Sequence, residues 1–208
     1  RDIARPYADK LLRIESADFT FGYSLNVGVT AAEGRFIAIV SAHTKPLDSS
    51  WLGDLIAPLR DPDTAMCYGK QVGWETSKFG DIQDLRRTFG PTRRVLVPPN
   101  FFANNANSAI RKELWESHPF DEALPGLEDI EWARYWMEQG YVVVYEPKAA
   151  LYHIHEETWP QVRRRYYREA FAAKAMGISG SHRAPLELAK EGKYLLGDLY
   201  QAVRAGDL

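Results

Sequence analysis

Phe36, Ile37, Ala38, Ile39 and Val40 form a short, continuous apolar run rich in β-branched side chains. Such a run fits a strand buried in a parallel sheet. It ends in the polar stretch 41–46, after which Trp51, Leu52, Leu55, Ile56 and Leu59 recur at helical spacing across residues 48–59. Residues 65–72 then read as a second strand, in which Gly69 and Gly73 permit a bulge or a close backbone approach. Strand, helix, strand is the rhythm of an α/β protein, so a mixed, mostly parallel sheet flanked by helices is expected. Open sheets of this kind bind ligands beyond the carboxyl ends of their strands, which singles out Ser41 and His43.

The remaining segments follow the same logic. Helices are expected over 7–14, over 24–32 with Gly34 as a left-handed cap, over 79–89 and over 111–116. Residues 95–99 read as extended because Pro98 and Pro99 disfavour helix in their predecessors. Asn100, Asn104, Asn105 and Asn107 fall within eight residues, a density that suits turns and a fixed hydrogen-bonding loop. Apolar spacing from Leu127 to Met137 predicts a helix stopped by Gly140, followed by strands at 141–145 and 149–154. Two amphipathic helices, 159–175 and 185–203, are expected to form a tail outside the sheet.

With 208 residues, 45% of them apolar, the chain can bury a sizeable core. Its formal charge of −2 gives no sign of a nucleic-acid partner. The single cysteine, Cys67, rules out an internal disulfide framework, points to a reducing compartment and sits in an apolar run where packing is expected. No apolar run approaches the roughly 18 to 20 residues of a spanning helix, so a soluble, cytoplasmic chain is expected. The first residue is Arg1 rather than methionine, and a fragment of a longer product is expected.

Several side chains are candidates for chemistry. Glu128 and Asp129 open the helix that follows Leu127, where carboxylates either cap free backbone amides or present a general base from a rigid mount. His153 and His155 share one face of a strand, an arrangement open both to a transition metal and to a structural pair. Trp132 and Trp136 stand one helical turn apart, as core residues or as a stacking surface for a sugar. Arg163, Arg164, Arg165 and Arg168 make either a solvated basic face or a contact for an anionic membrane surface.

Taken in order, the 36–46 segment, the stretch from Asn104 to Arg111, the Pro119, Phe120, Asp121, Glu122 turn, the Leu127, Glu128, Asp129 motif and the late His153 resemble the family-2 glycosyltransferases. Their order and spacing are most similar to the bacterial rhamnosyltransferase-type members, over about residues 18–155. The resemblance implies a Rossmann-like GT-A fold, here a partial core at 1–157 with a C-terminal helical extension at 158–208. It implies inverting transfer of a sugar from a nucleotide-diphosphate donor to a saccharide or lipid-linked acceptor in surface polysaccharide synthesis. Asp129 would then be the base and Glu128 its acidic neighbour, with Ser41, Asn105, Asn107 and Trp132 at the donor or acceptor. A divalent metal, Mn or Mg, would lie near His43, His153 and His155. The family's metal-binding Asp-x-Asp motif aligns with Ser41, Ala42 and His43, and its leading nucleotide-binding segment has no counterpart before Arg1. A noncatalytic carbohydrate-binding or scaffolding relative is the competing expectation.

Overall fold

The computed structural model describes residues 5–154, 156–178 and 184–205. Among these residues there are six strands: β1 (Phe36–Val40), β2 (Thr44–Pro46), β3 (Thr64–Gly73), β4 (Arg94–Leu96), β5 (Asn107–Arg111) and β6 (Val142–His153). Seven α-helices among the described residues accompany them: α1 (Phe21–Ala31), α2 (Trp51–Ile56), α3 (Phe79–Thr88), α4 (Lys112–Ser117), α5 (Glu128–Glu138), α6 (Trp159–Ala175) and α7 (Ala184–Ala205). The sheet order is β1-β5-β3-β6-β2, with β4 also paired to β6.

The sheet is mixed and flanked by helices, as expected, but the expected predominance of parallel pairing is corrected. Only β3 and β6 run parallel among the described strands, and every other pairing is antiparallel. The strand read as buried and parallel, β1, pairs antiparallel with β5, with Ala38 and Val40 exposed. An apolar run reports that a strand packs somewhere, and carries nothing about the direction of its neighbour. The asparagine-rich loop likewise continues directly into β5, which lies between β1 and β3.

Alternation along the central strands builds two cores. Met66, Tyr68, Ile110, Val143 and Tyr145 face Trp132, Ala133, Trp136 and Met137 of α5. Their neighbours Cys67, Ala109 and Val144 point to the opposite face, against Leu55 and Leu59. Cys67 is fully buried there, and burial drives its thiol pKa upward, so it is packed rather than reactive.

The two strands expected at 141–145 and 149–154 are one continuous β6, and the expected break survives as an irregularity. Gly69 pairs with Glu146 but Gln71 pairs with Leu151, so the register shifts around Pro147, which has no N–H to give the ladder. Gly69 is required at that point: a Cβ there would stand 2.0 Å from the Ala149 carbonyl oxygen and 2.4 Å from Asn107 Nδ2. Two further expectations are corrected. The helix expected over 7–14 does not form, a 3₁₀ turn at Arg5–Tyr7 ending where it would begin, and Gly34 does not act as a left-handed cap, since the chain leaves α1 at an extended Ala32.

α1 starts at Thr20, whose hydroxyl accepts from the Tyr23 amide at 3.0 Å. From its inner face Asn26 ties the helix to the loop before α5. Its Oδ1 accepts from Trp115 Nε1 (2.9 Å) and the Phe120 amide (3.1 Å), while Nδ2 donates to the Phe120 carbonyl (2.9 Å) and Glu122 (2.8 Å). Replacing Asn26 with alanine strands these buried groups, and a loss of about 2–4 kcal/mol is expected from unmade buried hydrogen bonds. Urea unfolding of Asn26→Ala checks it; a midpoint equal to that of the parent chain would show that the loop is held by other contacts.

Candidate active site

The start of α5 is locally unusual. Leu127 precedes it in the left-handed region (φ 62°, ψ 24°), a costly conformation for a side chain of its size, and no side chain caps the helix. Asp129 instead bonds backbone amides on two sides. Its Oδ2 accepts from the Asn105 N–H at 2.9 Å and its Oδ1 from the Ile130 N–H at 2.8 Å. The bonds that hold the Asp129 carboxylate also fix its position against the asparagine loop.

Burial first, and the adjacent Glu128 carboxylate second, push the Asp129 pKa up to about 7. Burial also raises Glu128, against the opposing influence of a backbone N–H, the Asn105 side chain and the Arg168 guanidinium. A cleft of about 280 Å³ opens beside this pair, lined by Ser41, Asn104, Asn105, Ala106, Arg168 and Glu169 among others. Ser41 reaches it from the end of β1, hydrogen-bonded by its amide to the Ala106 carbonyl at 3.3 Å.

A second group lies at the carboxyl end of β6. The β2–β6 register sets Thr44 opposite His153, and the His43 carbonyl accepts from the Ile154 amide, so the two histidines converge. Their Nε2 atoms are 2.8 Å apart and their rings stack with centroids 4.7 Å apart. A relay of hydrogen bonds orients the His153 ring. The Ala106 N–H donates to Asn104 Oδ1, to which Gln71 Nε2 also donates at 2.8 Å. Gln71 thus turns Oε1 to His153 Nδ1 at 2.5 Å, so that nitrogen donates to the amide and His153 Nε2 faces His43. Two convergent imidazole nitrogens suit a transition-metal ion. Among the described residues no group of three or more histidine, cysteine, aspartate or glutamate side chains could hold a metal ion, and His155 lies outside those residues.

Two residues expected at a ligand are placed in the framework instead. Asn107 is fully buried, its Nδ2 donating to the Lys70 and Ala149 carbonyls and its Oδ1 accepting from Trp51 Nε1, so the amide fastens the β3–β6 irregularity. Trp132 is fully buried and donates its indole N–H to the His118 carbonyl at 2.7 Å, which leaves no face for a sugar. Asn105 stays at the cleft, with Oδ1 accepting from Ser108 Oγ at 2.8 Å.

Sequence reading missed Gln71, Asn104, Arg168 and Glu169. Asn104 belonged to the asparagine cluster and Arg168 to the basic cluster, but neither pattern tells which members turn inward. Arg168 lies over the Phe21 ring, with Cζ 4.6 Å from its centroid, and Arg165 pairs with Glu157 at 2.9 Å, whereas Arg163 and Arg164 are exposed.

No protein-family model matches the chain. The O-antigen chain rhamnosyltransferase WbaN of Salmonella anatum is 22% identical over 178 residues, covering 80% of this chain and 56% of that protein. The chain therefore spans about half the length of this curated relative. Among solved structures, S. aureus TarS in complex with UDP-GlcNAc superposes with a TM-score of 0.56 at 17% identity, over 76% of this chain and 46% of that one. The mannosyltransferase PcManGT from Pyrobaculum calidifontis, in complex with GDP-Man and Mn2+, gives 0.53 at 18% identity, over 90% and 55%. The fold of this chain is that of the GT-A glycosyltransferases.

A raised carboxylate leaves a signature in stability. Between the ordinary aspartate value of 3.8 and about 7, folded Asp129 binds more protons than the unfolded chain, so its contribution lowers stability as pH rises through that window. Asp129→Asn removes the contribution. Relative to the parent chain, its melting temperature is expected to climb by a few degrees between pH 4 and pH 8. Paired thermal melts measure this, and a constant difference across the range would mean that Asp129 titrates normally.

Proposed function

We propose that this chain is the core of an inverting glycosyltransferase that uses a nucleotide-diphosphate sugar, with Asp129 as the base. The observation that carries the reading is the half-buried Asp129 carboxylate, fixed by the Asn105 and Ile130 amides beside the Ser41 cleft and raised toward neutrality. A base whose pKa lies near the working pH is partly ionised and is a competent proton acceptor. Asp129 takes the proton of an acceptor hydroxyl as that oxygen attacks the anomeric carbon from the face opposite the leaving diphosphate. Asn105 holds the base by its backbone, and Ser41 lines the donor side. Burial holds the Asp129 proton affinity up, and the charge of Glu128, kept beside Arg168, adds to it.

His43 and His153 are the residues that would hold a divalent ion, and a bound ion would supply charge neutralisation for the leaving diphosphate. The similar rhamnosyltransferase and the solved transferases with UDP-GlcNAc and GDP-Man support a nucleotide-sugar donor and a saccharide acceptor, in the context of surface polysaccharide. In this reading residues 1–157 form the catalytic core and 158–208 a helical extension.

No helix among the described residues is long and apolar enough to cross a membrane. The reading includes a peripheral contact with an anionic membrane on the cytoplasmic side, because Trp159, Tyr167, Phe171, Arg163, Arg164 and Lys174 are all exposed on α6. Sedimentation with vesicles containing a third phosphatidylglycerol is expected to carry the chain down, and pure phosphatidylcholine vesicles to leave it in solution. Equal recovery from both would remove the membrane contact.

Calorimetric titration of UDP and GDP with and without Mn2+, paired with sugar-transfer assays, tests the mechanism. Asp129→Ala is expected to keep nucleotide binding while transfer falls by roughly 10²–10⁴-fold, the usual weight of a general base. His43→Ala is expected to lose the Mn2+-dependent part of binding. Transfer unchanged in Asp129→Ala would sink the assignment of the base.

A further inference from the structure

α3 stands between two hollows. On one side a cavity of about 300 Å³ touches its Asp81, Asp84, Leu85 and Thr88 and ends against Gln71 and His153. On the other a hollow of about 440 Å³ touches Ile82, Leu85 and Arg86 and is closed by Lys70 and Trp74. Of the residues of α3 only Gln83 is buried, and the helix rests on β3 where Ile82 lies against Gly73. Empty space on both sides deprives a helix of the dispersion contacts that fix an element by packing. Phe89, just past its end, is buried in the core and forms a pivot.

The C-terminal helices hold α3 near both of its ends. At the start, Lys78 donates to the Glu157 carbonyl, just before α6, and lies over the Trp159 ring with Nζ 5.6 Å from the centroid. Near the end, Arg87 grips Asp198 of α7 with both of its terminal nitrogens. Nη1 donates to Oδ1 and Oδ2 at 3.2 Å each, and Nη2 donates to Oδ2 at 2.5 Å. The same guanidinium covers the Tyr194 ring, with Cζ 4.5 Å from its centroid. The Arg87 and Asp198 side chains are 25% and 22% exposed, so the pair is better shielded than the surface ion pairs that contribute little. On α7, Tyr194, Asp198 and Ala202 recur every fourth residue as its inward side, while Leu195, Leu196 and Tyr200 are exposed.

We propose that α6 and α7 clasp α3 at these two points, and that freeing either point lets α3 tilt about Phe89 into the hollow beside Lys70 and Trp74, widening the pocket in front of His153. The direction follows from the surroundings. Movement towards Lys70 and Trp74 enters open volume, whereas movement towards α6 carries Asp81 and Asp84 against Glu169, a like-charge approach. The clasp therefore sets access to the His43 and His153 pair, and its bearing on catalysis rests on the reading of those residues given above.

Hydrogen–deuterium exchange of the full chain tests the clasp, with Asp198→Asn and Lys78→Met as variants. In each, the amides of residues 83–88 are expected to exchange roughly tenfold faster than in the parent, while those of β3 and β5 keep their rates. Carbethoxylation by diethyl pyrocarbonate, read at His153 by tandem mass spectrometry, is expected to rise about threefold in both variants as the pocket opens. His118 serves as the unchanged internal reference. Unchanged exchange over α3 overturns the clasp. Exchange that quickens equally in β3 and β5 overturns it as well, since the two contacts would then serve global stability alone. Faster α3 exchange with a constant His153 rate overturns the gate. Neither measurement uses a nucleotide or an ion, so the clasp and the transferase reading fail separately.

Discussion

The parallel pairing of β3 with β6 is the contact on which the site depends. It joins Thr64 to Val142 at one end and Gly73 to His153 at the other, and it changes register between Gly69 and Gln71. Asn107 reaches across that shift to the Lys70 and Ala149 carbonyls, groups that a regular ladder would have satisfied. After the shift, Gln71 meets His153 and Asn104 together, and the short β2 brings His43 alongside. A side chain at Gly69 would collide with the Ala149 carbonyl and separate these groups. An irregularity in the ladder thus sets the orientation of a histidine.

The second organising constraint is the cost of placing two carboxylates side by side out of water. Glu128 and Asp129 are tolerated because backbone N–H groups, the Asn105 side chain and Arg168 surround them, yet the balance still leaves both raised. The strain at Leu127 belongs to the same arrangement, since it begins α5 one residue before the acidic pair. Arg168 and Glu169 bring α6 into this balance, so the C-terminal helices do more than trail from the sheet. α6 walls the clefts, and α7 is fastened to α3 through the Arg87–Asp198 pair.

The Asp-x-Asp pattern that the resemblance led one to expect is absent from this chain. Ser41 and His43 stand in its place, and the structure pairs His43 with His153 across adjacent strands. The charge near the proposed ion is therefore smaller than a carboxylate pair would give. Nitrogen donors favour transition ions over Mg2+.

Local sequence determined much of this protein: β3, α3, α6 and the long α5 stopped by Gly140 lie close to where spacing and composition set them, and Glu128 with Asp129 stand in the first turn as read. Those features are fixed by periodicity and by backbone preference, which act over a few residues. Tertiary structure alone decided that β1 pairs antiparallel, that the asparagine stretch runs into a strand and that Asn107 and Trp132 serve the framework. It also decided that Arg165 and Arg168 turn inward while Arg163 and Arg164 do not. The physical reason is common to all of these: a pattern shows that a residue will be buried or bonded, but its partner comes from a segment tens of residues away, and only the packed sheet chooses it.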